Sequence, residues 1–151
     1  MGTSAKNQVI TNIRNTVFAF KRLIGLKFTD PLVAEEQKYV PYTLLATADG
    51  EVGFQVSYLG EDVVISVRQA VAMQLTKLKE IAEDALESKV FECVLAVPYF
   101  FTESQRRALH DAASIANLQV RRGSFSRKTK QSHEFQENHE KSPNNSQINF
   151  A

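Results

Sequence analysis

The chain has 151 residues, of which 43% are hydrophobic and 23% charged, a balance typical of one folded domain with its own core. Its 18 Lys and Arg residues nearly match its 17 Asp and Glu residues, which argues against nucleic acid or an anionic membrane as the partner. The single cysteine, the lack of a signal-peptide pattern and the lack of a long apolar run predict a cytoplasmic protein, with the nucleus as an alternative.

The first section of the chain predicts one or two short helices between residues 6 and 25. Asn15 can cap a helix over residues 15–25, because its side-chain oxygen can accept from a free backbone N–H. Gly25 can end that helix in a left-handed turn. Asp30 and Pro31 predict the start of a further helix, since Asp is a good cap and Pro suits the first helical position.

A β-rich part follows this helical section. Asp49-Gly50 is a two-residue hairpin signal between two segments of strand-like composition. Gly60 lies in a second turn, after which a third short apolar segment begins. The sequence therefore predicts a meander of three strands over residues 42–65.

Capping-box patterns at Ser66 and Thr102 predict two longer helices, the first ending near Glu87. Between these helices, residues 94–97 form a short continuous apolar run, which is typical of a buried strand. Pro98 ends this run, because proline lacks the N–H that a strand needs. The expected order in this half of the chain is therefore helix, strand, helix.

The composition changes at residue 123. Residues 123–151 are mostly Ser, Lys, Gln, Asn, His and Glu, and they offer too little apolar surface to offset the entropy of ordering. We therefore predict a folded part over residues 1–122 and a disordered, divergent tail over residues 123–151.

Four blocks of the sequence resemble the ATPase domain of the 70-kDa heat-shock protein superfamily, in the family's order and near its spacing. They lie at residues 5–9, 15–25, 75–83 and 97–107. Details such as Phe20-Lys21-Arg22 and Phe101-Thr102 resemble the 110-kDa branch. The resemblance implies an α/β fold that is a partial actin-like ATPase domain, the outer part of its first lobe, in which a three-strand meander is combined with helices.

The resemblance also implies a function for the parent protein. Its relatives are ATP-dependent chaperones of the stress response and nucleotide-exchange factors for 70-kDa chaperones. They use ATP or ADP with Mg²⁺, and their partners are those chaperones and unfolded polypeptides. The family's phosphate loops and adenosine motif have no counterpart in these 151 residues. We therefore expect a truncated chaperone that cannot hydrolyse ATP alone and needs no cofactor.

Three residues match functional positions of the family. Lys21 matches the cleft lysine that approaches the terminal phosphate, and here it would be a vestigial catalytic and nucleotide-binding residue. Pro98 and Arg106 match positions that couple the ATPase domain to its neighbour. From the residues alone, Lys21 is better explained as an exposed helix lysine, Pro98 as a strand terminator and Arg106 as a surface charge. Cys93 and the histidines lack metal-ligand spacing, so no metal site is expected.

Two alternatives to a truncated chaperone remain. The chain could be a non-enzymatic interaction module, or decoy, that binds the partners of the parent chaperone, or it could be a fragment without function.

The resemblance further implies that residues 94–97 lack their neighbours in the parent sheet. We therefore expect an exposed apolar strand edge and marginal folding.

Overall fold

The structure, a computed structural model, describes residues 2–121 and 147–149. In chain order the elements are α1 (Thr3–Asn7), two 3₁₀ turns (Ile13–Asn15 and Phe20–Leu23), α2 (Pro31–Glu36), β1 (Thr43–Ala46), β2 (Val52–Tyr58), β3 (Glu61–Ser66), α3 (Val67–Leu86), β4 (Glu92–Ala96), α4 (Glu103–Ile115), β5 (Gln119–Val120) and β6 (Gln147–Asn149). The predicted mixture of helices with a three-strand meander is confirmed. No helix among the described residues is long and apolar enough to cross a membrane.

The first sheet is an antiparallel meander in the order β1-β2-β3. Leu44 pairs with Phe54 between the first two strands, and both side chains are buried. The connecting turn holds three residues rather than the predicted two, because the Thr47 N–H donates to the Glu51 carbonyl at 2.9 Å. Gly50 has a φ of +70° in this turn, which glycine adopts without steric cost.

Both predicted capping boxes are confirmed, and they explain where the two longer helices begin. At α3, the Ser66 hydroxyl accepts from the Gln69 N–H at 3.1 Å, and the Gln69 side chain accepts from the Ser66 N–H at 2.9 Å. Thr102 and Gln105 make the same reciprocal pair at α4. The end of α3 at Leu86 lies one residue before the predicted end.

The predicted helix over residues 15–25 is wrong. The segment instead holds the end of one 3₁₀ turn and the whole of another, and Ala19 between them has a left-handed φ of 56°. The Asn15 side chain does not cap a helix. It accepts instead from the Ser57 N–H on β2 at 2.8 Å. A contact with a distant strand has therefore replaced the local cap.

Two other local signals of this region are confirmed. Gly25 adopts a φ of +68°, and a Cβ at this position would lie 2.7 Å from the Gln105 Cα. The Asp30 carboxylate accepts from the Leu32 N–H at 2.9 Å, and Pro31 is the first residue of α2. Gly25 therefore has both a backbone and a packing reason to lack a side chain.

One hydrophobic core joins the second 3₁₀ turn, the meander, α3 and α4. Its largest fully buried side chains are Tyr42, Phe54, Leu23, Ile24, Leu75, Val52, Val71 and Cys93. The ring centroids of Tyr42 and Phe54 lie 5.4 Å apart in an edge-to-face arrangement, which aromatic pairs prefer. This core fixes the segment that carries Lys21 against the two long helices.

The second sheet has the order β5-β4-β6, and both pairs are parallel. β5 pairs with Glu92 and Cys93, whereas β6 pairs with the following residues of β4. The predicted bare edge at residues 94–97 is therefore wrong for the edge of Val94–Ala96 that faces β6, whereas β5 does not extend along these residues on the other side. The disordered-tail prediction also fails at Gln147–Asn149, because β4 supplies backbone pairing that tail composition does not reveal. Residues 122–146 and 150–151, on which the rest of that prediction falls, lie outside the described residues.

Candidate functional site

A small cavity, here called the Lys21 cavity, brings together two of the three predicted site residues. Lys21 lies in the second 3₁₀ turn, Pro98 lies just beyond β4, and both line this cavity. The other lining residues are all apolar: Ile24, Val71, Ala96, Val97, Phe101 and Leu109. The cavity therefore places one cationic side chain against walls from α3, α4 and the end of β4.

The first turn of α4 holds the lysine-bearing segment in place. The Ser104 hydroxyl donates to the Gly25 carbonyl at 2.8 Å, and the Gln105 side chain donates to the Arg22 carbonyl at 3.5 Å. Ile24 is only 1% exposed and anchors the same segment in the core. These contacts fix the backbone on the C-terminal side of Lys21 relative to α4.

Arg106 lies in the first turn of α4 and contacts the loop that follows β4. Its Nε donates to the Phe101 carbonyl at 3.1 Å, and one Nη donates to the Tyr99 carbonyl at 3.4 Å. The Phe101 N–H in turn donates to the Pro98 carbonyl at 3.1 Å. Arg106 therefore stabilises the loop that forms one wall of the cavity, and its role in interdomain coupling stays a prediction.

The dimensions of the Lys21 cavity decide what it can hold. Its volume is about 10 Å³, close to the smallest that holds one water molecule. No cluster of three or more metal-binding side chains occurs within residues 2–121. The Lys21 cavity itself, at about 10 Å³, is far smaller than a nucleotide.

Two features of this region were missed from the sequence. Gln105 was identified only as a capping residue, yet it is 8% exposed and contacts the lysine-bearing segment. Tyr99 and Phe100 are 83% and 64% exposed, and their ring centroids lie 5.6 Å apart. Three aromatic residues in a row after a strand-ending proline were the available signal, because one short loop cannot bury all three.

The titratable groups with perturbed pKa values do not line the Lys21 cavity. Burial and the nearby Glu36 carboxylate raise the pKa of Tyr42 to about 12, and burial raises the pKa of the Cys93 thiol. Arg121 forms a two-point ion pair with Glu92 and lowers the pKa of that carboxyl. Tyr42 and Cys93 lie in the core, and the Arg121–Glu92 pair lies at the pairing of β4 with β5, so these groups have structural roles.

Comparison with known proteins identifies relatives of the whole described domain. The family described as Hsp70 protein matches residues 1–123. Human heat shock 70 kDa protein 4L is 42% identical over 118 residues, which cover 78% of this chain and 14% of the relative. The 97 kDa heat shock protein of Strongylocentrotus purpuratus is 46% identical over 117 residues, which cover 78% and 13%. The chain spans about one-seventh of the length of the curated relatives it matches.

Proposed function

The chain belongs to the Hsp70 protein family, and from this premise we propose that it is part of a heat-shock chaperone of the 110-kDa type. The family prediction is confirmed, and the carrying observation is the match over residues 1–123. The relatives named heat shock 70 kDa protein 4L and 97 kDa heat shock protein support the branch. The proposed partners are 70-kDa chaperones and unfolded polypeptides, and the proposed compartment is the cytoplasm.

The 151 residues on their own do not hydrolyse ATP under this proposal. Phosphoryl transfer needs positioned positive charge around the phosphates, together with a metal ion. Lys21 is one cation beside a cavity of about 10 Å³, and the described residues offer no cluster of metal ligands. Lys21 is then a vestigial phosphate-contacting residue. Pro98 and Arg106 retain the loop structure of the region that, in the parent protein, would couple the ATPase domain to its neighbour.

Steady-state ATP turnover tests this part of the proposal. We expect phosphate release by the purified chain to equal the enzyme-free blank, and Lys21→Ala to change nothing. The matched control is Lys38→Ala, which removes an exposed lysine outside the cavity lining. Turnover that Lys21→Ala abolishes and Lys38→Ala preserves would contradict the proposal.

A second candidate function is a non-enzymatic interaction module that binds partners of the parent chaperone. The exposed Tyr99 and Phe100 rings, which contact each other edge to face, favour it, because Tyr and Phe are enriched at protein interfaces. Arg106 holds the loop that presents them. This function does not require the chain to bind nucleotide.

A pull-down with a purified 70-kDa chaperone in the absence of nucleotide tests the interaction module. We expect capture by the wild-type chain and at least a tenfold loss in Tyr99→Ala/Phe100→Ala. Tyr39→Ala is the control, since it removes a tyrosine that is 73% exposed elsewhere on the surface. Equal capture by all three chains, or capture by none, would reject the aromatic pair as the anchor.

A further inference from the structure

The edge of β4 that faces away from β5 is occupied by a segment from the far end of the chain. β6 runs parallel to β4, with Val94 opposite Gln147 and Ala96 opposite Asn149. β5 pairs only with Glu92 and Cys93. Within the described residues, the backbone of Val94–Ala96 therefore has β6 as its strand neighbour.

An unpaired strand edge is a binding site for any extended chain, because its N–H and C=O groups are left without partners. The paired segments suit each other, since Val94–Ala96 and Gln147–Asn149 carry no charged residue that would oppose close approach. Parallel pairing requires a connection of a dozen or more residues. Residues 97–146, which connect β4 to β6, meet that requirement.

We propose that Gln147–Asn149 is an intramolecular strand donor that closes the free edge of β4. Its occupancy blocks the same edge against an external parallel strand, so the edge accepts such a strand only after the segment is withdrawn. The inference does not depend on nucleotide or on the proposed chaperone function.

The test uses the full-length chain and a double variant, Gln147→Pro/Ile148→Pro. Successive N–H groups of a strand point to opposite edges, so two adjacent prolines remove one donor to β4 whichever edge each residue faces. The matched control, Asn144→Pro/Asn145→Pro, makes the same change upstream of the paired residues. The Cys93 carbonyl accepts from the Arg121 N–H on the β5 side, so the N–H groups of Val94 and Ala96 face β6. Hydrogen exchange is followed at these two amides, with β2 as the internal reference.

We expect exchange at the Val94 and Ala96 amides to be slow in the wild-type and control chains and at least tenfold faster in Gln147→Pro/Ile148→Pro, while exchange in β2 stays unchanged. A labelled peptide with the sequence of residues 146–151 should bind the double-proline variant at least tenfold more tightly than the wild type. A peptide with a scrambled sequence should not bind.

Three results would overturn the proposal. One is fast exchange at the Val94 and Ala96 amides in the wild-type chain, a readout that needs no variant and therefore holds even where the prolines unfold the protein. Another is equal peptide binding by the wild-type and double-proline chains. The third is a wild-type dimer in solution whose dissociation on dilution removes the protection, which would show that the donor strand comes from a second copy.

Discussion

Replacing Gly25 by alanine should destabilise the fold more than the same change at Gly50. Both glycines have a left-handed backbone, with a φ of +68° at Gly25 and +70° at Gly50. At Gly25, an added Cβ would lie 2.7 Å from the Gln105 Cα and 2.8 Å from the Ser104 carbonyl oxygen. Both are backbone atoms of α4, so relief requires the helix to move. At Gly50, no atom lies within 4 Å of the added Cβ.

The expected magnitudes follow from these surroundings. A left-handed alanine costs about 1–2 kcal/mol, and this term applies to both variants. The reduced entropy of the unfolded chain is also common to both and cancels in the comparison. Overpacking adds about 1–3 kcal/mol at Gly25 alone. We therefore expect a loss of about 2–5 kcal/mol for Gly25→Ala and about 1–2 kcal/mol for Gly50→Ala.

Urea unfolding followed by far-UV circular dichroism measures both losses. Equal slopes with denaturant would show that the two variants unfold from equally compact states, so that the difference in midpoint reports stability alone. Equal losses for the two glycines would refute the close contact between Gly25 and α4. A larger loss at Gly50 would do the same.

Three further outcomes are expected from the same structure. The raised pKa of Tyr42, from its ordinary value of 10.0 to about 12, means that the folded chain keeps this proton to higher pH. The stability it supplies is therefore complete below pH 10 and lost as pH rises from 10 to about 12, and Tyr42→Phe should flatten thermal stability across that range. Ser66→Ala should cost about 1 kcal/mol in urea unfolding, because the first turn of α3 loses its cap, whereas unchanged stability would contradict the cap. Cys93, which is buried with a raised pKa, should react with a thiol reagent only as fast as the protein opens, and denaturant should accelerate labelling.

The sequence predicted best those features whose causes are local. The caps at Ser66, Thr102 and Asp30 each involve a neighbouring backbone N–H, so residue type and spacing suffice. Gly25 was predicted as a left-handed turn residue, but its contact with Gln105 was not, since it depends on how α4 packs.

The failures have distant causes. The helix over residues 15–25 was wrong because Asn15 accepts a hydrogen bond from β2, a partner that no local pattern contains. β6 was missed because its pairing comes from the backbone of β4 rather than from apolar composition. The grouping of Lys21 with Pro98 was reachable only through the family resemblance, because the two residues lie on separate elements.

Calorimetric titration of the purified chain with ATP and with ADP, each at millimolar concentration with Mg²⁺, measures directly whether these 151 residues bind nucleotide. The same sample is checked for folding by circular dichroism. We expect no saturable heat from a folded chain, because the cavity beside Lys21 is about 10 Å³. Saturable binding at one site that is lost in Lys21→Ala would contradict it and show that these residues assemble a nucleotide site.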